Sequence, residues 1–237
     1  MTYFAPSELN FINCNRCFFI NKIKGFKMLP NIPGIFSTFD RSQKKYFMSK
    51  DTGALPKELP KGKFFKTVTQ EEIKKRLKKN LPGLNELELP AKIGSAELRD
   101  KKGRIFTLGG LPDLIVKFES SYGILDFKST SESDKSQNYK YQLEAYAQIL
   151  KNPNNKTPKL SPISLIGLVQ FTPKEIVSHE SDSFSQKWQM LFFKLERDKD
   201  DFYNRITELT DLIEKNQVPV FDARCKLCNY SRETSKF

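Results

Sequence analysis

Asp113, in Leu111-Pro112-Asp113, stands 13 residues before Asp126, which opens Asp126-Phe127-Lys128. Two carboxylates and an ammonium in this order suit phosphodiester chemistry. Carboxylate oxygens hold a hard divalent cation such as magnesium or manganese. A lysine beside them can orient or help deprotonate a water and offset charge on a phosphate. The elements that must position these groups can be read from the same stretch. Residues 113–118 read as a strand, 119–123 as a turn containing two serines and a glycine, and 124–128 as a returning strand. Strand side chains alternate faces, so Asp126 and Lys128 point one way and Phe127 is buried on the other. A hairpin sets the start of one strand beside the end of the next, which brings Asp113 to the same end of the sheet. Asp-x-Lys alone more often marks an ordinary surface ion pair, so the assignment rests on what accompanies it.

A helix is predicted over residues 137–150, where Tyr139, Leu143, Tyr146, Ala147 and Leu150 recur at helical spacing. Gln142 and Tyr146 are four apart on its edge, and project together. They can present an amide and a phenol to a metal site or a phosphate. Tyr146 by itself reads equally as a core residue.

With Gly110-Leu-Pro-Asp113, Asp126-Phe-Lys128 and Gln142-Leu-Glu-Ala-Tyr146 in this order, the chain resembles the PD-(D/E)XK nuclease superfamily. Within it, the resemblance is to the RecB-like branch that includes the CRISPR-adaptation nucleases. It implies an α/β fold with a restriction-endonuclease-like core, a mixed β-sheet flanked by helices. It also implies a magnesium or manganese ion on Asp113, Asp126 and the carbonyl of Phe127. Lys128 would then serve the attacking water, and Gln142 and Tyr146 would position substrate or the catalytic strands. Many RecB-like members place a metal-reaching histidine on a helix before the sheet. The single histidine here, His179, falls in a polar segment past the sheet and reads as an exposed loop residue. Asp40, on a helix predicted over 35–48, stands where that histidine would be sought, with Glu97 the second candidate. The ordinary alternative is an ion pair of Asp40 with Arg41 or Lys44.

All four cysteines fall in two Cys-x-x-Cys pairs, Cys14/Cys17 and Cys225/Cys228, at opposite ends of the chain. Paired spacing of this kind is a metal-ligand signature. No signal peptide or membrane-length apolar stretch is evident, so a reducing cytoplasm is expected and structural disulfides are not. Thiolates there favour zinc or an iron-sulfur cluster, either of which would join the N- and C-terminal segments. The wording Phe4-Ala-Pro-Ser-Glu-Leu through Cys17, and Cys225-Lys-Leu-Cys228-Asn-Tyr230, resembles the ends of RecB-like nucleases that carry an iron-sulfur cluster. Those relatives use one N-terminal and three C-terminal cysteines. Here Cys17 would supply the fourth thiolate, and two Cys-x-x-Cys pairs are also a familiar zinc arrangement.

Forty Lys and Arg against 28 Asp and Glu give a formal charge of +12, which favours a polyanionic partner such as DNA. Aromatics interleave with the basic residues: Phe19, Phe26, Tyr46, Phe47, Phe64 and Phe65 either stack on unpaired bases or fill the core.

One domain is expected over 1–237: an N-terminal cysteine segment (1–34), a helical and loop insertion (35–89), a catalytic sheet core (90–195) and a C-terminal helix with the second cysteine pair (196–237). Residues 7–22 read as a helix capped by Ser7, 25–34 as a crossing, 50–66 as a loop suited to a mobile lid or disorder, and 69–80 as a basic helix with a Thr69/Glu72 capping box. Strands are expected near 92–99, 163–171 and 187–195, then a last long helix. The function expected is a metal-dependent nuclease acting on DNA, single-stranded or end-containing, in repair, recombination or defence, with protein partners in such a complex. The alternative is a non-catalytic nucleic-acid-binding or structural subunit on the same fold.

Overall fold

The computed structural model describes residues 1–10, 14–25, 34–130 and 136–234. The expected crossing, with Phe26, lies largely outside the described residues. In chain order the elements are β1 (Thr2–Phe4), α1 (Asn15–Lys24), α2 (Gly34–Met48), β2 (Lys63–Phe64), β3 (Lys66–Val68), α3 (Gln70–Lys78), β4 (Glu88–Pro90), β5 (Ile93–Gly94) and β6 (Leu98–Arg99). They continue with β7 (Ile105–Gly110), β8 (Leu114–Lys117), β9 (Tyr122–Ser129), α4 (Lys140–Lys151), β10 (Ile163–His179), β11 (Phe184–Leu195), α5 (Lys199–Lys215) and α6 (Lys226–Thr234).

Two curled sheets meet where the chain passes from β7 to β8. In the first, β7 takes β1 as a parallel neighbour and β5 and β6 as antiparallel ones. The second runs β11-β10-β9-β8-β2, parallel only between β9 and β10. Leu111-Pro112-Asp113 is the connection, so Asp113 sits at the seam. The predicted hairpin is present as β8 and β9, with Leu114 opposite Leu125 and Lys117 opposite Tyr122.

Each face of the second sheet carries its own core. Ile115, Ile124 and Ile166 face α4, together with Leu143 and Ala147. Leu125, Phe127 and Val169 face the other way, toward Phe47 of α2 and the segment that follows it. Phe127 meets Phe47 and Phe171 edge-on, at centroid distances of 5.5 and 5.1 Å, the favoured arrangement for aromatic quadrupoles.

Helix α4 departs from the amphipathic stripe expected of it, because every residue from Tyr141 to Leu150 is buried. Its polar residues are therefore paired internally. Arg197 donates to both oxygens of Glu144 at 2.9 and 2.8 Å, and Gln148 donates to Glu144 at 2.7 Å, as a buried carboxylate requires.

Several local expectations are revised. The N-terminal helix does not run from a Ser7 cap: a 3-10 turn over Pro6–Leu9 comes first, and α1 starts after Cys14, whose sulfur caps it. His179 is exposed, yet it ends a strand that runs on past Phe171 rather than lying in a loop. Phe19, Phe47, Phe64 and Phe65 are core residues, and of the basic-stretch aromatics whose side chains are described only Tyr46 is exposed. The expected lid is also packed. Leu55, Leu59 and Phe64 are buried in the second core, and β2 pairs Phe64 with Val116 at the sheet edge. Gly62 lets this happen, since a Cβ there would lie 2.7 Å from Val116 Cγ1 and 2.8 Å from the Lys117 carbonyl oxygen.

Leu59→Ala is expected to lower unfolding free energy by about 2–4 kcal/mol, the usual cost of emptying a buried leucine site. Urea denaturation measures it. A change below about 0.5 kcal/mol, the range of surface substitutions, would return this segment to the status of a free lid.

Candidate active site

Strand β9 places Asp126 and Lys128 on the α4 face, and its hydrophobic flanks hold them there. Asp126 is 2% exposed. Lys128 Nζ lies 2.5 Å from Asp126 Oδ2, while Gln142 of α4 donates to Oδ1 at 2.8 Å. Among the described residues Oδ2 has the Lys128 ammonium as its ion-pair partner and accepts no further hydrogen bond. The Lys128 ammonium also rests 4.7 Å from the centre of the Tyr139 ring.

Asp113 reaches this group from the seam. Its Oδ2 accepts from the Phe127 backbone N–H at 2.9 Å. A strand residue sends its N–H and C=O out along the same edge, so the Phe127 carbonyl also leaves on the Asp113 side. Carrying the β8/β9 register two positions on sets Pro112 opposite Phe127, and proline has no N–H to occupy that carbonyl. Asp113, Asp126 and the Phe127 carbonyl thus offer hard oxygen donors at one sheet end, with Asp126 Oδ2 engaged, among the described residues, by the Lys128 ammonium alone. This donor set fits a divalent cation.

Tyr146 does not aim at the cluster. Its hydroxyl donates to the Leu111 carbonyl at 2.9 Å, fixing the seam from which Asp113 projects. Gly110 makes room, because a Cβ there would sit 3.1 Å from that hydroxyl and 2.9 Å from Pro6 Cδ. Gln142 is committed at both ends of its amide, since its Oε1 accepts from Asn10 at 2.9 Å.

Asp40 lies on α2 as expected, ion-paired with Lys44 at 2.8 Å. The same Lys44 ammonium lies 2.6 Å from Asp113 Oδ1, so it bridges the two acids. Glu97 is exposed beside β6. That strand's Leu98 pairs with Phe106, four residues short of Gly110 and the seam. The Asp40–Lys44 pair is the ordinary alternative named for Asp40; the reach of Lys44 to Asp113, and Asn10, are what sequence reasoning missed. Lys44 carried a signal in its i,i+4 spacing from Asp40; Asn10, 132 residues from Gln142, carried none.

Burial dominates the electrostatics. It pushes the Asp126 carboxyl up to about 6, against the lowering pull of Lys128 and with the help of the Asp113 charge. Burial alone would lower Lys128, but Asp126 and Asp113 hold it above its ordinary value. Lys44 follows the same pattern, burial opposed by Asp113 and Asp40, with a net rise. Tyr146 is raised by burial and by the two aspartates, so its hydroxyl stays protonated.

The second constellation joins the chain ends. The four cysteine sulfurs lie within 4.8 Å of one another, and the N- and C-terminal segments meet there as anticipated. Arg16 donates to the Pro219 carbonyl at 2.7 Å and stacks 3.9 Å from the Phe221 ring centre, holding the chain that leads into Cys225.

A family model described as the PD-(D/E)XK nuclease superfamily matches residues 36–232. The chain belongs to that superfamily. No curated protein matches this superfamily member. A solved structure titled "Crystal structure of SSO0001" is similar at 13% identity, covering 98% of this chain and 84% of that one, with a TM-score of 0.49. No helix among the described residues is long and apolar enough to cross a membrane.

In the metal-free protein Asp126 is expected to titrate near 6, followed by the carbon-13 shift of its carboxyl group. Asp113→Asn removes a like charge and lowers that midpoint; Lys128→Met removes the paired cation and raises it. A midpoint at the ordinary 3.8 in the unsubstituted protein would contradict the buried pairing.

Proposed function

We propose that this chain is a divalent-metal-dependent nuclease that hydrolyses DNA phosphodiester bonds, of RecB-like type, acting on single-stranded or end-containing substrate. One observation carries the reading: Asp113 from the seam and Asp126 and Lys128 from β9 converge at one sheet end, with a backbone carbonyl left open beside them. Superfamily membership and the +12 charge support it.

Asp113, Asp126 and the Phe127 carbonyl would hold magnesium or manganese, which when bound lowers the pKa of a water and polarises the scissile phosphate. Gln142 holds Asp126 Oδ1, which leaves Oδ2 directed at the cation and Lys128. Lys128 donates from its ammonium to the attacking water and to a phosphate oxygen, placing one in line with the other and offsetting charge as the pentacoordinate phosphorus forms. Burial of the lysine stem beside Tyr139 restricts that ammonium to a narrow arc. Tyr146 fixes the Leu111 carbonyl and thereby the angle at which Asp113 enters. Its role, like that of Gln142, is positioning.

Lys44 sets the strength of metal binding in this reading. Its ammonium occupies Asp113 Oδ1, so a cation held by Asp113 would compete with an internal positive charge. Asp40 retains the lysine when Asp113 is engaged elsewhere.

Asp113→Ala and Lys128→Ala are each expected to reduce magnesium-dependent cleavage of a fluorescent single strand by at least about 100-fold, with strand binding by anisotropy nearly unchanged. Cleavage persisting in either variant would defeat the assignment. Lys44→Ala is expected to tighten manganese binding roughly tenfold, a change of about 1.4 kcal/mol, read by calorimetry without DNA. Weaker or equal affinity would remove Lys44 from this role.

A further inference from the structure

The resemblance implies an iron-sulfur cube at the four cysteines, and the sulfur positions disagree with it. Cys14 and Cys228 sulfurs are 3.4 Å apart, Cys17 and Cys225 3.6 Å, and Cys17 and Cys228 3.9 Å; all the sulfurs fall within 4.8 Å of one another. Four thiolates around one tetrahedral ion, each at about 2.3 Å, are separated by about 3.8 Å. In a four-iron cube each thiolate is bound to a different iron and points outward from the centre, which separates the sulfurs by roughly 6 Å. The observed spacing matches the first case.

The local backbone supports the same conclusion. Each Cys-x-x-Cys pair straddles a helix start: Cys14 immediately precedes α1 and Cys225 immediately precedes α6, with the second cysteine of each pair in the first turn. The Cys17 N–H donates to Cys14 sulfur at 3.4 Å. Leu227 and Cys228 stand in the same relation to Cys225, in the first turn of α6. The two motifs are thus built alike and arranged face to face, with their sulfurs converging on one point. N–H donors at a helix start stabilise thiolate.

We infer that Cys14, Cys17, Cys225 and Cys228 form a mononuclear tetrathiolate site for a single tetrahedral ion, zinc or iron without inorganic sulfide, which staples the start of α1 to the start of α6. This inference does not depend on the nuclease reading, since the site is built from the chain ends alone.

The test uses the full chain, expressed with iron in excess and purified without oxygen, and measures metal and acid-labile sulfide per chain. One ion per chain with no labile sulfide is the expected result, and cobalt exchanged into the site should give the visible bands of tetrahedral thiolate coordination. Cys17→Ser/Cys228→Ser should lose the ion. Iron accompanied by equimolar sulfide would overturn the inference. So would a chain that retains no metal after reconstitution with zinc and, separately, with ferrous iron.

Discussion

Burying the Asp126 carboxylate is the constraint around which the rest of the molecule is arranged. A carboxylate removed from water must be paired or must give up its charge, and here both responses are visible. Its proton affinity rises with burial, and every neighbour within reach supplies a partner: Lys128 from its own strand, Gln142 from α4. Asp113 adds a second negative charge nearby and is itself neutralised by Lys44. Three carboxylates, Asp40, Asp113 and Asp126, thus face two ammoniums, Lys44 and Lys128. The remaining negative charge lies beside open oxygen donors, which is the electrostatic condition for holding a divalent ion.

Much of this was legible because it is local. The β8/β9 hairpin follows from period-two alternation around a Ser/Gly turn, and the shared face of Asp126 and Lys128 follows from that alternation alone. The Gln142 and Tyr146 pair follows from helical spacing. Thr69 caps α3 by accepting from the Glu72 N–H, while the Glu72 side chain turns to Arg76 and the reciprocal half of the expected capping box is not part of the helix start. What escaped depends on contacts distant in sequence. Lys44 was legible as a partner of Asp40 four residues away, but it reaches Asp113 only because α2 docks beside the seam. The parallel pairing of β1 with β7, joining Tyr3 to Thr107, has no local signature. In residues 50–66, prolines, glycines and lysines obscured Leu55, Leu59 and Phe64, apolar anchors that fix the segment to the sheet.

The two constellations share the N-terminal segment. Asn10 reaches Gln142 and, through it, Asp126; Cys14 lies four residues further on, tied to the C-terminus. The 3-10 turn before Asn10 contributes Pro6, which lies against Gly110 next to the seam. Residues 1–10 therefore bear on the first centre and residues 14–17 on the second.

Burial of α4 on every side from Tyr141 to Leu150 has a further consequence for how this protein can change. An extra residue in an α-helix turns everything beyond it by about 100°. On a surface helix such a rotation is absorbed by solvent; here no side of the cylinder is free to receive the displaced groups. An insertion between Glu144 and Tyr146 would swing the tyrosine off the Leu111 carbonyl and carry Gln148 away from Glu144, stranding polar atoms in hydrocarbon. Variation in chain length among descendants of this sequence is therefore confined to the stretches that lead into and out of that helix, and its twelve positions can drift only by exchange of one side chain for another.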